Sequence, residues 1–265
     1  MDLGLKGKVA VVMAASEGIG HGVAHALAAE GCLVAICGRR ADALAAASKK
    51  IRKETKADVW TKTADVSKEG ESAAFIDGAV KEFGKKRLDI LVNNSGGPKP
   101  GPTIDLTDDA WRAAFELLVL SNVRACRAAY PHMKANGGSI TNIVSTSVKQ
   151  PIENLVLSNS LRSAVVGLAK TLSLEWAPQK IRVNNVLPGF TSTVRVEEII
   201  RDQAQRAGST YEAALEARLG TIPLRRLGTI DDVGRSVAFL ASPQADYITG
   251  QSLSLDGGAT RWVHG

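Results

Sequence analysis

Aromatic residues are scarce: the 265-residue chain has four Trp, three Tyr and five Phe, 5% in all. A surface that grips single-stranded nucleic acid uses rings in series as stacking platforms, so that class of function is disfavoured. Cysteine is scarcer still. Cys32, Cys37 and Cys126 are odd in number, and no Cys-x-x-Cys or His/Cys cluster accompanies them. A disulfide framework and a zinc site are both poor readings of such spacing, and no metal is expected. Reduced thiols in a cytoplasmic enzyme fit better. No run reaches the roughly 18 apolar residues of a membrane span. The opening Met1-Asp2-Leu3-Gly4-Leu5-Lys6 lacks the apolar centre of a signal peptide.

What is present is the balance of an ordinary globular protein, with 45% hydrophobic and 23% charged residues. Residues 1–265 read as a single domain with ample core. The net charge of +6 is local in origin, since positions 39–62 hold eight Lys or Arg against three Asp or Glu. Lys49, Lys50, Arg52, Lys53 and Lys56 suit a solvated helix face, or a positive field beside an anionic ligand.

Short apolar runs alternate with helical patterns. Strands are expected at 9–13, 33–37, 58–63, 88–92, 139–144, 181–186 and 252–255. Helices are expected at about 19–27, 41–54, 69–83, 108–133 and 155–176. This rhythm predicts an α/β fold: one doubly wound, Rossmann-type domain whose seven-stranded parallel sheet carries helices on both faces. Positions 190–228 break the rhythm as a helical, lid-like insertion. In such sheets ligands bind beyond the carboxyl ends of the strands.

The first of those ends carries Ala14-Ala15-Ser16-Glu17-Gly18-Ile19-Gly20. Gly18 and Gly20 would let a phosphate approach the backbone at a helix N-terminus. Further signals follow in order: Asp65-Val66, Asn93-Asn94-Ser95-Gly96, Pro188-Gly189, Pro223 to Gly228, Asp231-Asp232-Val233 and Asp256-Gly257-Gly258. Together they resemble the short-chain dehydrogenase/reductase family over nearly the whole chain, most closely its 3-oxoacyl-carrier-protein-reductase-like branch. In that family's TGxxxGxG pattern, the threonine and first glycine are here Met13 and Ala14. The resemblance implies a nicotinamide dinucleotide held by Ser16, Gly18, Ile19, Gly20, Asp65, Val66, Asn93, Ser95, Gly96, Pro188 and Gly189.

The second strand's end selects among dinucleotides. An acid there binds a ribose 2′-hydroxyl, whereas an arginine suits a 2′-phosphate. Gly38-Arg39-Arg40 offers two arginines and no acid; Asp42 comes later, as a cap for the next helix. NADP(H) is therefore expected, with Arg39 the first choice for the phosphate and Arg40 the second. Glu17 argues the other way, and NAD(H) is the alternative.

The resemblance also implies a catalytic Asn-Ser-Tyr-Lys set, and this chain departs from it. Ser145 matches the serine that polarises the carbonyl. The tyrosine position holds Ser158, the lysine position Arg162 and the asparagine position Leu118, with Asn122 one turn later. Arg162 would keep the charge and could hold ribose hydroxyls. Tyr211 and Lys149 are candidate replacement proton donors, Tyr130 reads as packing, and Lys99, Arg195 and Arg201 could meet substrate. His21 and His25 have metal-compatible spacing but read as a surface face. The expected activity is hydride transfer between NADP(H) and a small-molecule carbonyl or alcohol. The rival is a non-catalytic NADP(H)-binding sensor or scaffold. Neither nucleic acid nor membrane is an expected partner. A homotetramer is expected, with a dimer second, through the face Leu161, Val165, Leu168 and Leu172 and the segment 253–262.

Overall fold

Runs of β-branched and aliphatic residues become strands that are buried on both faces. In β1 (Val9–Val12), Val9 and Val11 pack to one side of the sheet and Ala10 and Val12 to the other, all without exposure. A strand with both faces covered is mostly apolar, which is why the first run does not alternate. The computed structural model describes residues 2–262.

From β1 the chain passes through α1 (Gly18–Ala29), β2 (Leu33–Gly38), α2 (Ala41–Thr55), β3 (Val59–Thr63), α3 (Glu71–Glu82) and β4 (Ile90–Asn93). It continues through α4 (Asp108–Phe115), α5 (Ser121–Met133), β5 (Gly138–Ile143), α6 (Val156–Glu175) and β6 (Ile181–Pro188). Two further helices, α7 (Val194–Arg206) and α8 (Tyr211–Gly220), precede α9 (Ile230–Ala241) and β7 (Ser252–Leu255). The strands form one seven-stranded sheet in the order β3-β2-β1-β4-β5-β6-β7, every neighbouring pair parallel. The order reverses between β1 and β4, and that reversal opens a crevice at their carboxyl ends.

Helices α1, α2 and α9 cover one face, where Val23, Leu27, Ile51 and Val237 meet Val12, Ile36 and Val92. Helices α3, α5 and α6 cover the other, where Phe75, Ile76, Ala129 and Ala169 meet Val11, Leu91 and Val183. Helices α1 and α9 cross at bare backbone. A Cβ on Gly22 would lie 2.6 Å from the Ile230 carbonyl oxygen, and one on Gly234 would lie 2.6 Å from that of Gly22. α9 starts with a capping box in which Thr229 and Asp232 each accept from the other's backbone N–H.

Three expectations need correction. The helix expected over 108–133 is two helices joined by a π turn at Glu116–Leu120. Asp42 does not cap α2: Arg40 is the N-cap residue, and Asp42 lies within the first turn. The expected assembly face of α6 is turned inward only in part: Val165 and Leu172 pack in the chain's own core, while Leu161 and Leu168 are half-buried. The insertion leaves and rejoins the sheet end at one place, where Thr191 bridges Gly228.

Candidate active site

Leaving β1, the chain must turn sharply into α1. The Met13 N–H still donates to the Val92 carbonyl at 3.0 Å. Ala14 then takes φ +48° and Gly18 φ +58°. The Asn94 amide donates to the Ala14 carbonyl at 2.9 Å, tying the loop after β4 to this turn. A Cβ on Gly20 would fall 2.7 Å from that same carbonyl oxygen and 2.7 Å from Asn94 Nδ2, so only glycine fits. Glu17 is the N-cap residue of α1, yet its side chain makes no capping hydrogen bond. The opening amides of α1 are thus left without a side-chain partner, as an anion site requires.

Ser16 packs against the end of β2; a Cβ on Gly38 would be 3.0 Å from its Oγ. Of the two arginines that follow, Arg40 is ion-paired with Glu17. Arg39 is exposed and makes no ion pair among the described residues. Burial pushes the Asp65 carboxyl up, but hydrogen bonds from Ser67 and the nearby Arg39 charge outweigh it and leave it below the usual carboxylate range. Open helix amides, a bare glycine backbone and a free guanidinium fit a dinucleotide bearing a 2′-phosphate.

At the end of β5, Ser145 is the N-cap of a single 3₁₀ turn (Thr146–Val148), and its Oγ accepts from the Ser147 N–H at 3.1 Å. In the first turn of α6, buried Ser158 accepts from Arg162 Nε at 3.1 Å. The i, i+4 spacing puts the two on one helix face. Arg162 Nη1 donates to the carbonyls of Ile143 at 3.2 Å and Val144 at 2.9 Å. Arg162 therefore clamps α6 to the last residues before Ser145. No carboxylate pairs with it among the described residues, and burial lowers its pKa to about 10. Beside it, a cavity of about 10 Å³ is lined by Asn94, Ser95, Leu118, Asn122, Ile143, Val144, Arg162 and Val165. Asn122 donates to the Leu118 carbonyl at 2.7 Å across the π turn, and its Oδ1 has no partner.

Beneath these loops runs a ladder of buried amides. Asn93, Asn142, Asn185 and Ser252 face one another across four strands in register. Asn93 Nδ2 donates to Asn142 Oδ1 at 2.9 Å, Asn142 Nδ2 to Asn185 Oδ1 at 2.9 Å, and Asn185 Nδ2 to Ser252 Oγ at 3.1 Å.

A family profile described as enoyl-(acyl carrier protein) reductase matches residues 13–260. An uncharacterised oxidoreductase of Methylorubrum extorquens is 37% identical over 256 residues, which is 96% of this chain and 98% of that protein. A short-chain dehydrogenase/reductase of Serratia marcescens, solved as a double mutant, is 34% identical with a TM-score of 0.86, covering 97% of this chain and 99% of that one. L-sorbose reductase from Gluconobacter frateurii, solved with NADPH and L-sorbose, superposes with a TM-score of 0.94 at 29% identity, covering 99% of this chain and 100% of that one. The chain belongs to the short-chain dehydrogenase/reductase family.

Within this dehydrogenase/reductase, the expected site residues are not equally available. Gly18, Ile19, Gly20, Ser95 and Gly96 gather at the crevice between β1 and β4. Asn93 does not: its side chain is buried in the amide ladder and also donates to Cys126 Sγ at 3.3 Å. Gly189 has a packing reason to be glycine, since a Cβ there would lie 2.7 Å from that of Asp256. Pro188 is buried at the end of β6, and Val66 packs into the core.

Lys149 Nζ donates to the Ser252 carbonyl at 3.3 Å on β7. Tyr211 stands against the Arg201 guanidinium, 4.9 Å from ring centre to Cζ. Tyr130 packs on Trp176 with ring centres 4.9 Å apart. Of the suggested substrate contacts, Lys99 and Arg195 line a cleft of about 700 Å³ together with Asp105, Glu153 and Phe190, whereas Arg201 and Tyr211 do not. His25 pairs with Glu54 at 3.1 Å, but His21 is buried in α1 rather than on the expected surface face, and that burial lowers its pKa. Among the described residues, no three His, Cys, Asp or Glu side chains gather as a metal site. No helix of the described residues is long and apolar enough to cross a membrane. The sequence named Asn94 only within its Asn-Asn-Ser-Gly run and Asn122 only as lying one turn past the asparagine position, with a role for neither. The doubled asparagine after β4 was the available signal for Asn94, and nothing local marked the orphaned Oδ1 of Asn122.

Proposed function

We propose that this protein transfers hydride between NADP(H) and a carbonyl or alcohol of a small molecule, with Ser158 and Arg162 in place of the Tyr and Lys of its relatives. The observation that carries the reading is the phosphate-ready end of the sheet: uncapped amides at α1 beside the unpaired Arg39, with no acid at the turn after β2. The NADPH complex of L-sorbose reductase supports the same cofactor. NAD(H) is the weaker alternative, since nothing at that turn would hold a ribose 2′-hydroxyl by a carboxylate. The bound nicotinamide supplies the hydride.

The chain's own residues supply position and charge. Ser145 sits at the strand end, where its hydroxyl can donate to a carbonyl oxygen. Arg162, unneutralised and largely shielded from water, favours an oxyanion there. A serine hydroxyl is far less acidic than a phenol, and a guanidinium holds its proton at neutral pH. The proton therefore comes from water, from the substrate or from Lys149. Ketone chemistry of the 3-oxoacyl-carrier-protein-reductase kind is our assignment for the substrate class, in a cytoplasmic homotetramer.

The second reading is a non-catalytic NADP(H)-binding sensor. It draws on Ser158 and Arg162 being bonded to each other and to β5. A stopped-flow panel of ketones, β-keto esters and alcohols with NADPH or NADP⁺ separates the two, and tight binding without turnover anywhere in the panel would leave the sensor. The paired change Ser158→Tyr with Arg162→Lys restores a tunable acid. It should raise turnover of a simple β-keto ester at least about tenfold, equivalent to about 1.4 kcal/mol of transition-state stabilisation.

A further inference from the structure

Phe190 comes two residues after the end of β6 and is half-buried. It lines the cleft of about 700 Å³, which it shares with the apolar side chains of Leu106, Leu155 and Ile199. Over its ring stands Arg218 of α8, with Cζ 4.0 Å from the ring centre. Arg218 does not itself line the cleft. The guanidinium therefore covers the ring from behind, and the rest of the ring is left to the cleft. Arg218 has little other employment. No carboxylate pairs with it among the described residues, its Nε is buried without a partner, and burial lowers its pKa. Its Nη2 donates to Gln203 Oε1 at 3.0 Å, and Gln203 of α7 is a second cleft residue. No residue of α8 is fully buried. One side chain of this thinly packed helix thus touches two walls of the cleft, an aromatic ring and an amide.

We propose that Arg218 is a positioning residue that holds Phe190 as a stacking wall, and that this wall makes the cleft select ketones bearing a flat, π-bonded group over saturated ketones of the same size. The inference rests on the hydride-transfer reading above. A cation behind an aromatic ring is attracted to its negative face and draws electron density toward itself. The side turned to the cleft is then less negative, so a second π-system stacks there with less repulsion between the two faces. A saturated ring buries a similar apolar area but is thicker and gains nothing from that polarisation. The bond to Gln203 fixes the guanidinium plane, so the wall keeps its angle.

The test compares phenylacetone with cyclohexylacetone. In both, a methylene separates the carbonyl from the ring, so the intrinsic reactivity of the two ketones is matched. Turnover with NADPH is measured on the full chain for wild type, R218A, R218K and F190L, with kcat and KM resolved, and ketone binding is read by quenching of bound NADPH fluorescence. Wild type should favour phenylacetone about fivefold in kcat/KM. R218A should bring the ratio below about twofold, chiefly by raising the KM for phenylacetone. R218K should fall between them, because an ammonium keeps the charge without the flat face. F190L keeps apolar bulk but has no ring, and should abolish the ratio; it and R218K decide the matter if R218A does not fold. Equal kcat/KM for the two ketones in wild type overturns the inference and leaves hydride transfer standing. An unchanged ratio in R218A, or an equal loss for both ketones, overturns the positioning role. If neither ketone turns over but phenylacetone binds about fivefold tighter and R218A removes that difference, hydride transfer falls and the wall stands. An NADPH-loaded wild type that neither reduces nor binds either ketone overturns the inference.

Discussion

Ala14 holds a left-handed backbone, φ +48°, that glycine adopts readily and a Cβ makes unfavourable by roughly 1 kcal/mol or more. The strain is kept because three neighbours define the turn: Met13 N–H on Val92, Ala15 N–H on Cys37 and Asn94 on the Ala14 carbonyl. Ala14→Gly should therefore raise stability by about 0.5–1 kcal/mol, after allowing for the freer unfolded chain. Urea melts should show a higher midpoint at unchanged slope; a lower midpoint would refute the strain. Arg162 gives a second expectation. Its burial lowers the pKa to about 10, so the cation is present below that pH and is lost as pH rises through it. A catalytic oxyanion held by that charge should make kcat/KM fall above about pH 10, and a flat profile there would remove Arg162 from the chemistry. The stability linkage has the opposite sign. The unfolded arginine keeps its proton to higher pH, so the cost of burying the charge is relieved as pH climbs through the folded value.

The crossing of α1 and α9 is an element-scale constraint. Gly22 and Gly234 let the two backbones meet, and a methyl on Gly234 would press 2.6 Å from the Gly22 carbonyl oxygen and 2.9 Å from the Ala26 Cβ. Neither contact is the end of a flexible side chain, so the helices must separate. Gly234→Ala should cost about 2 kcal/mol or more, seen as a lower denaturation midpoint, whereas Gly167→Ala on the exposed side of α6, with nothing within 4 Å, should not. β1 and β2 were legible because burial on both faces favours apolar runs, and the other strands by the alternation with helices, although buried asparagines interrupt β5 and β6. The π turn at Glu116–Leu120 was not, because Leu118 and Val119 continue an apolar pattern that an α-helix would also satisfy. Its mark is a side chain bonded to backbone, Asn122 to Leu118, and periodicity carries no sign of that.

Across the whole molecule, assembly rests more on the expected segment 253–262 than on the expected face of α6. Val165 and Leu172 of the expected α6 face turn inward, Leu161 and Leu168 stay half-buried, and Leu174 of the same helix is exposed. At the sheet's edge, β7 offers Leu253 at 40% exposure, with Leu224 at 65%. An uncovered parallel edge with apolar side chains is a pairing liability unless a second copy covers it. We expect a homotetramer, with a dimer second, by light scattering at micromolar concentration, and Leu253→Glu should lower the mass. A monomeric wild type would contradict this. The geometry of the candidate site was legible where contacts are local, as in the tight turn at Gly18 and Gly20 and the i, i+4 contact of Ser158 with Arg162. It was illegible where partners lie far apart in sequence, as with Glu17 and Arg40, or Lys149 and the Ser252 carbonyl. No local pattern records which end of a long side chain finds which distant oxygen.

The amide ladder under the site has a sense of direction. Each asparagine turns its oxygen toward β4 and its nitrogen toward β7, so every rung donates the same way. Reversing one amide would set nitrogen against nitrogen on one side and oxygen against oxygen on the other, so the rungs can only keep or lose their orientation together. Aligned amides also polarise one another, and the row ends at its negative pole on the unpartnered Asn93 Oδ1, one residue before Asn94 and two before Ser95. The sheet thus behaves as a polarised wire, its terminal oxygen lying beneath the loop that faces the crevice, and the four strand ends bearing that loop, Ser145 and Pro188 shift as one piece or not at all.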